Sequence, residues 1–338
     1  MPLALPETGA RALVAGHFST VGDIEVLRHV ESRLHRLEVP FDVAPYTLDL
    51  LGFDPSWVEA STLDPAAFTH LIVVCGPYGP DYPVKYPHIF DRFRHCTHVG
   101  INLTMVAPLA DCNPFDALLE RDSDRTVRPD LSFLLDVPKV PVVGLCLARS
   151  QREYGARQLH DQAESRLRAL LRRAGAAVVE LDTTVPRSAN RTGIGTPAEF
   201  ESVCARLDAL VTTRLHGTVL ALKNGVPVLA VDAIAGRDKV TRQAELLGWP
   251  EIHALDSISD ADLDLALARC MDPSATGRAS ACAAFARELL AGHDEAFAAA
   301  LDAEARPERR PPVASGKGRL SQIAARYRHW KRQRFPRR

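Results

Sequence analysis

Short apolar runs alternate along this chain with longer stretches in which apolar residues recur every three or four positions. The runs predict buried strands over Ala12 to Ala15, Phe41 to Pro45, Leu71 to Cys75 and Val99 to Leu103. Gly22 to Leu37 has the spacing of an amphipathic helix, and Asp130 to Leu135 closes this half. The pattern restarts at Val140. Strands are predicted over Val140 to Leu147, Ala177 to Leu181, Ala209 to Val211 and Val226 to Val231, with a helix over Arg157 to Arg173. Thr196-Pro197-Ala198-Glu199 reads as a capping box with proline at the first helical position. Further helices are expected over Lys239 to Leu247, after a cap at Ser259, and in one long alanine-rich segment from about Ala275 to Ala305.

Strands alternating with helices predict parallel sheets covered on both faces. The alternation occurs twice, with a break near Asp136 to Pro141. The expectation is therefore an α/β protein of two Rossmann-like domains facing a cleft: residues 1–137, residues 138–305, and a linker with a basic tail over 306–338. Ligands of such sheets sit beyond the carboxyl ends of the strands. A chain of 338 residues is comfortable for two domains.

The segment from Ala209 to Val231 concentrates the candidate chemistry. An apolar run ends in Thr212-Thr213, Arg214-Leu215-His216 follows, and apolar residues then recur at helical spacing until Asn224-Gly225 stops the helix. Arg214 and His216 thus fall where a helix begins. Unpaired main-chain amides and the positive end of the helix dipole favour an anion there. A guanidinium adds bidentate recognition of phosphate or carboxylate, and a histidine adds proton transfer near neutral pH. The bland alternative is a surface arginine cap beside a core histidine.

This segment resembles the polysaccharide pyruvyl transferase family, whose C-terminal half carries an Arg-Leu-His motif between a strand and a helix, then a Gly-x-Pro strand. The matching positions are Arg214, Leu215, His216, Gly225 and Pro227, with Lys239 downstream. The resemblance implies a glycosyltransferase type B-like architecture. It extends to the N-terminal half, where Gly16 to Asp23 occupies the place of the family's small-residue loop and Gly-Asp before the first helix. Asp23 is either a helix cap alone or a cap that also serves as catalytic base. Glu120-Arg121-Asp122-Ser123, with Pro129 to Phe133, is similar to the arginine-containing segment that closes the family's first domain. Arg121 then faces the cleft, or is an exposed loop arginine. Cys75-Gly76-Pro77-Tyr78-Gly79-Pro80 departs from the family's run of glycines, and its prolines stiffen the loop.

What the resemblance implies is transfer of a pyruvyl group from phosphoenolpyruvate to a sugar hydroxyl on a cell-surface polysaccharide or lipid-linked glycan precursor. His216 and Asp23 are its catalytic candidates. Arg214, Arg121, Lys239 and Leu215 are its candidates for binding phosphoenolpyruvate, a co-substrate; no cofactor is called for. The rivals are a nucleotide-sugar-dependent glycosyltransferase and a non-catalytic glycan- or membrane-binding regulator of the same fold.

Charge adds one feature. The net charge is −1, but nine of the 41 Lys and Arg lie in residues 316–338, where no acidic residue occurs, leaving 32 against 42 acids elsewhere. Leu320, Ile323, Tyr327 and Trp330 recur there at helical spacing, which suits an anionic membrane surface; nucleic acid is not expected. The start of the chain lacks a signal-peptide pattern and no apolar run reaches membrane-spanning length. Seven cysteines without a CxxC pair suit reduced thiols, so the expectation is a cytoplasmic protein, peripheral on the inner face of the plasma membrane. His95-Cys96-Thr97-His98 with Cys112 fits no standard zinc spacing, and no metal site is assigned.

Overall fold

The computed structural model describes residues 9–149, 155, 157–185, 188–236 and 239–302. The linker and basic segment expected over 306–338 lie outside the described residues. The chain divides into two compact units at Lys139/Val140.

In the first unit, β1 (Ala12–Gly16), β2 (Phe41–Pro45), β3 (His70–Val74), β5 (Thr97–Ile101) and β7 (Ala117–Leu119) form one sheet in the order β2-β1-β3-β5-β7, every pair parallel. A separate two-stranded ladder joins β4 (Pro77–Tyr78) to β6 (Thr104–Met105). Alternate residues of β1 enter two cores. Ala12 and Val14 pack with Val26, Leu27 and Val30 of α1 (Val21–Arg36), while Leu13 and Ala15 face Tyr46, Phe68, Tyr86, Phe90 and Phe93. Burial of both faces explains why the strands read as continuous apolar runs.

The second face is not covered by a long helix. Pro77, Pro80, Pro83 and Pro87 interrupt the crossover from β3 to β5, leaving only α2 (Tyr82–Lys85) and α3 (Pro87–Phe90). Aromatic side chains supply the buried area a helix would have given.

In the second unit, β8 (Val142–Cys146), β9 (Ala177–Leu181), β10 (Ala209–Thr212), β11 (Val228–Asp232) and β12 (Ile252–Ala254) form a parallel sheet ordered β12-β11-β10-β8-β9. Its helices are α4 (His160–Arg173), α5 (Pro197–Cys204), α6 (Leu215–Lys223), α7 (Lys239–Leu246), α8 (Asp260–Cys270), α9 (Ala275–Leu289) and α10 (His293–Leu301). Counted in sequence within each unit, both sheets have the order 2-1-3-4-5. The doubly wound switch points therefore fall between β1 and β3, and between β8 and β10, where such sheets bind ligands.

The expected α/β class, with two parallel sheets, is what the structure shows. Thr196 caps α5 with a reciprocal bond from Glu199, and Ser259 caps α8. The single helix expected from Ala275 to Ala305 is instead two. Gly292 adopts φ 81°, which an L residue resists, and the chain turns there between α9 and α10. Asp23 is not the cap of α1: Thr20 is, with Asp23 three residues later completing the box.

A charged clip closes the first sheet. Glu120 is 0% exposed at its side chain and takes Arg125 at 2.9 Å and Arg128 at 3.3 Å. The Arg125 guanidinium holds the Glu120 carboxyl at about 2 against the opposing effect of burial, where an ordinary glutamate titrates near 4.5. A depressed folded pKa gives stability that is complete above about pH 4.5 and lost as pH falls toward about 2. Urea midpoints measured across that window should fall less steeply in Glu120→Gln than in the native chain. Parallel slopes would remove the clip from the acid response.

Candidate active site

Two threonines tie the ends of β10 and β8 together. The Thr212 hydroxyl donates to Cys146 O at 2.6 Å and accepts Arg214 N–H at 3.0 Å, and the Thr213 hydroxyl accepts Ala148 N–H at 2.7 Å. The chain thereby leaves β10 in an extended conformation, with Arg214 at φ −104°, ψ 138° as the N-cap residue of α6. No side chain caps this helix, so its first-turn amides are left for solvent or a ligand. α6 runs close against β10. A Cβ on Gly217 would lie 2.3 Å from Thr212 Oγ1, so only glycine permits the approach.

Arg214 sits at the second switch point, its guanidinium wedged between the ends of β8 and β9. Nε donates to Leu147 O at 2.8 Å, Nη1 to Thr183 Oγ1 at 3.3 Å and Nη2 to Thr184 Oγ1 at 3.2 Å, and Asp182 Oδ1 lies 3.0 Å from Nη2. Side-chain exposure is 21% for Arg214 and 8% for Asp182. The fork is thus mostly engaged by the protein itself, and its charge is balanced by a buried carboxylate.

His216, the second residue of α6, is exposed, and its ring lines a cavity of about 190 Å³ with Asp182, Thr183, Thr184, Ile194, Phe200 and Leu220. Asp182 also lines a larger polar cavity of about 600 Å³ at the ends of β8 and β9, which Arg149 and Arg191 enter. Neither arginine has an ion-pair partner among the described residues. Sequence reasoning missed Asp182, Arg149 and Arg191. Arg149 stands just beyond the end of β8 and was legible by the strand-end rule. Leu215 is half-buried against the core of the unit, and Lys239 is the first residue of α7 in the same unit.

Asp23 and Arg121 belong to the first unit, and both act electrostatically on Cys75 at the C-terminal edge of its sheet. Asp23 Oδ2 accepts from Thr20 N at 2.9 Å and Thr20 Oγ1 at 2.8 Å, and Asp23 O accepts from Cys75 Sγ at 3.7 Å. Arg121 bonds Thr104, Asp122 at 2.8 Å and Asp130 at 3.1 Å, so its guanidinium ties the β6 and β7 ends to the turn that packs on α1. Burial raises the Asp130 pKa, but hydrogen bonds from Asn102, Ser132 and Arg121 prevail and hold it at about 2. Cys75 and Asn102 both adopt positive φ, 66° and 56°. Non-glycine residues rarely do so, and when they do it is often at ligand sites. All seven cysteines are buried and free, and burial pushes the Cys75 thiol up. His95 and His98 bond main-chain oxygens of Pro65 and Phe93, at 3.1 and 3.2 Å.

Fold and site together define an α/β protein with an uncapped helix start after the third strand of its second sheet, a histidine on the first turn and a fixed arginine before it. Residues 123–233 match the model of the polysaccharide pyruvyl transferase family. The matched segment contains Arg214, Leu215, His216, Gly225 and Pro227; Asp23, Arg121 and Lys239 lie outside it. No curated protein matches the sequence. Among solved structures, the spinosyn forosaminyltransferase SpnP aligns at 13% identity over 85% of this chain and 99% of its own, with a TM-score of 0.31. UDP-GlcNAc 2-epimerase from Methanocaldococcus jannaschii aligns at 10% over 84% and 100%, with a TM-score of 0.29. The heptosyltransferase WaaC of E. coli, with ADP, aligns at 13% over 77% and 99%, with a TM-score of 0.28.

Proposed function

We propose that the protein transfers a pyruvyl group from phosphoenolpyruvate to a sugar hydroxyl of a cell-surface polysaccharide or its lipid-linked precursor, forming a ketal and releasing phosphate. The observation that carries this reading is the exposed His216 on the uncapped first turn of α6, inside the family-matched segment. The anion rests on the first-turn amides, and His216 protonates the methylene carbon, making C2 electrophilic. Arg214 has one Nη1 hydrogen left for the ligand; its other bonds tie the end of β8 to the loop after β9. Arg149, Arg191 and Lys239 supply further positive charge in the same unit. Asp23 and the first unit serve the acceptor, and Arg121 braces that edge. The cavity beside His216, about 190 Å³, suits a small enol phosphate better than a nucleotide sugar.

No described helix is long and apolar enough to cross a membrane. A lipid-linked acceptor would bring the protein to the cytoplasmic membrane face through residues 316–338.

Calorimetric titration of phosphoenolpyruvate and of UDP-glucose, in parallel, tests the donor. Binding of phosphoenolpyruvate alone is expected. Binding of UDP-glucose alone would transfer the protein to the glycosyltransferases.

A further inference from the structure

The cavity beside His216 has two unlike ends. His216 and Leu220 lie four residues apart on α6 and share one face, with Leu220 about 6 Å further along the axis. Both line the cavity, which therefore runs along the helix from its first turn to its second. At the first turn the lining is polar: Asp182, Thr183 and Thr184, all three held by Arg214. Toward the second turn it is apolar, made by Ile194, Phe200 and Leu220. Glu201, the neighbour of Phe200 on α5, takes Lys223 at 2.8 Å and Asn224 at 3.2 Å, so α5 stands against the later turns of α6.

One side chain fixes the width. Asn190 Nδ2 donates to Thr184 O and Ile194 O, both at 2.7 Å, and Asn190 Oδ1 accepts from Thr192 N and Oγ1, both at 2.9 Å. Thr184 belongs to the polar end and Ile194 to the apolar wall, so a single amide sets the distance between them. The residues that follow are pinned as well. Glu199 Oε2 accepts from Gly195 N and Thr196 N at 3.0 Å each, and Pro197 starts α5. Phe200 is 4% exposed, and Ile194 and Leu220 rest on the core of the unit. The wall is preformed, and a close-packed wall neither recedes for a larger group nor fills in behind a smaller one.

We propose that Ile194, Phe200 and Leu220 form the methylene subsite of the donor: they hold C3 against the His216 ring and limit the donor to an unsubstituted enol carbon. This rests on the pyruvyl-transfer reading. With carboxylate or phosphate on the first-turn amides of α6, the other end of a three-carbon enol points along the helix toward Leu220. The methylene is the one part of phosphoenolpyruvate without a polar atom, so it alone loses no hydrogen bond to water on entering an apolar pocket. There it lies beside His216, the side chain that protonates it. A hydroxyl or carboxylate on C3 would be buried without a partner, and an added methyl would press on Leu220 or Ile194.

Calorimetry on the full chain tests this with three ligands that differ at C3: phosphoenolpyruvate, phosphoglycolate, which lacks that carbon, and phosphoenol-2-oxobutyrate, which carries a methyl on it. The native chain should bind phosphoenolpyruvate at least about tenfold more tightly than either of the others, the effect of one carbon in an apolar pocket. Leu220→Ala should bring phosphoglycolate within about threefold of phosphoenolpyruvate and make the methylated donor the preferred of the three. Ile194→Ala, outside any helix or strand, should shift both ratios the same way and serves if the helix variant does not fold. Urea transitions identify the folded variants. Equal affinity of the native chain for phosphoenolpyruvate and phosphoglycolate overturns the subsite while the donor reading stands. Binding of the methylated donor as tightly as phosphoenolpyruvate by the native chain overturns the limit on C3. Ratios unchanged in both variants overturn the assignment to these side chains. If the native chain binds none of the three, the donor reading itself fails and the subsite falls with it.

Discussion

Replacing His216 with glutamine should lower kcat by about 10²- to 10⁴-fold while phosphoenolpyruvate affinity changes less than about threefold, because a positioned acid acts on the transition state rather than on binding. The side chain is exposed and has no hydrogen-bond partner among the described residues, so its loss leaves no buried group unsatisfied. Folding should therefore be unaffected, and a urea transition matching the native one separates chemistry from structure. Retained turnover would remove His216 as the proton donor. Loss of binding in equal measure would make it a ligand contact instead.

Arg214→Ala should behave differently, because this arginine is built into the molecule. Its removal leaves Asp182, 8% exposed, without its countercharge, and frees Leu147 O and two threonine hydroxyls from their donor. Breaking a largely buried pair from one side costs on the order of 3 kcal/mol. The double variant Arg214→Ala with Asp182→Asn should recover much of that stability, since the uncompensated charge has gone, yet should not recover phosphoenolpyruvate binding. Urea denaturation of both variants, with calorimetry on the double one, separates the two contributions. A single variant as stable as the native chain would show that the pair is held loosely. Restored binding in the double variant would show that Arg214 does not reach the ligand.

Much of this was legible along the chain. Thr196-Pro197-Ala198-Glu199 and Ser259 announce helix starts because caps are local: donor and acceptor lie three residues apart and need no third element. The apolar run before Arg214 and the Asn224-Gly225 stop after it placed Arg214 and His216 at a helix start for the same reason. Where local signals compete, the reading failed. Composition favoured one long helix after Ala275, and Gly292 divided it. The strand at Ile252–Ala254 was missed because three residues carry too little pattern, although pairing with β11 makes it part of the sheet.

The tertiary structure decided who meets whom. Asp182 and Arg214 follow β9 and β10, strands that lie on either side of β8, and no periodicity in the sequence connects them. His17, Tyr46, Tyr82 and Tyr86 come from three connections of the first sheet and meet only because β1 lies between β2 and β3. The sequence by itself determined the alternation of strands and helices, their caps and the place of the Arg-Leu-His turn, since those depend on neighbours within a few residues. Strand order depends on burial and hydrogen bonding between distant segments, and it alone turned a candidate anion-binding arginine into one half of a buried ion pair.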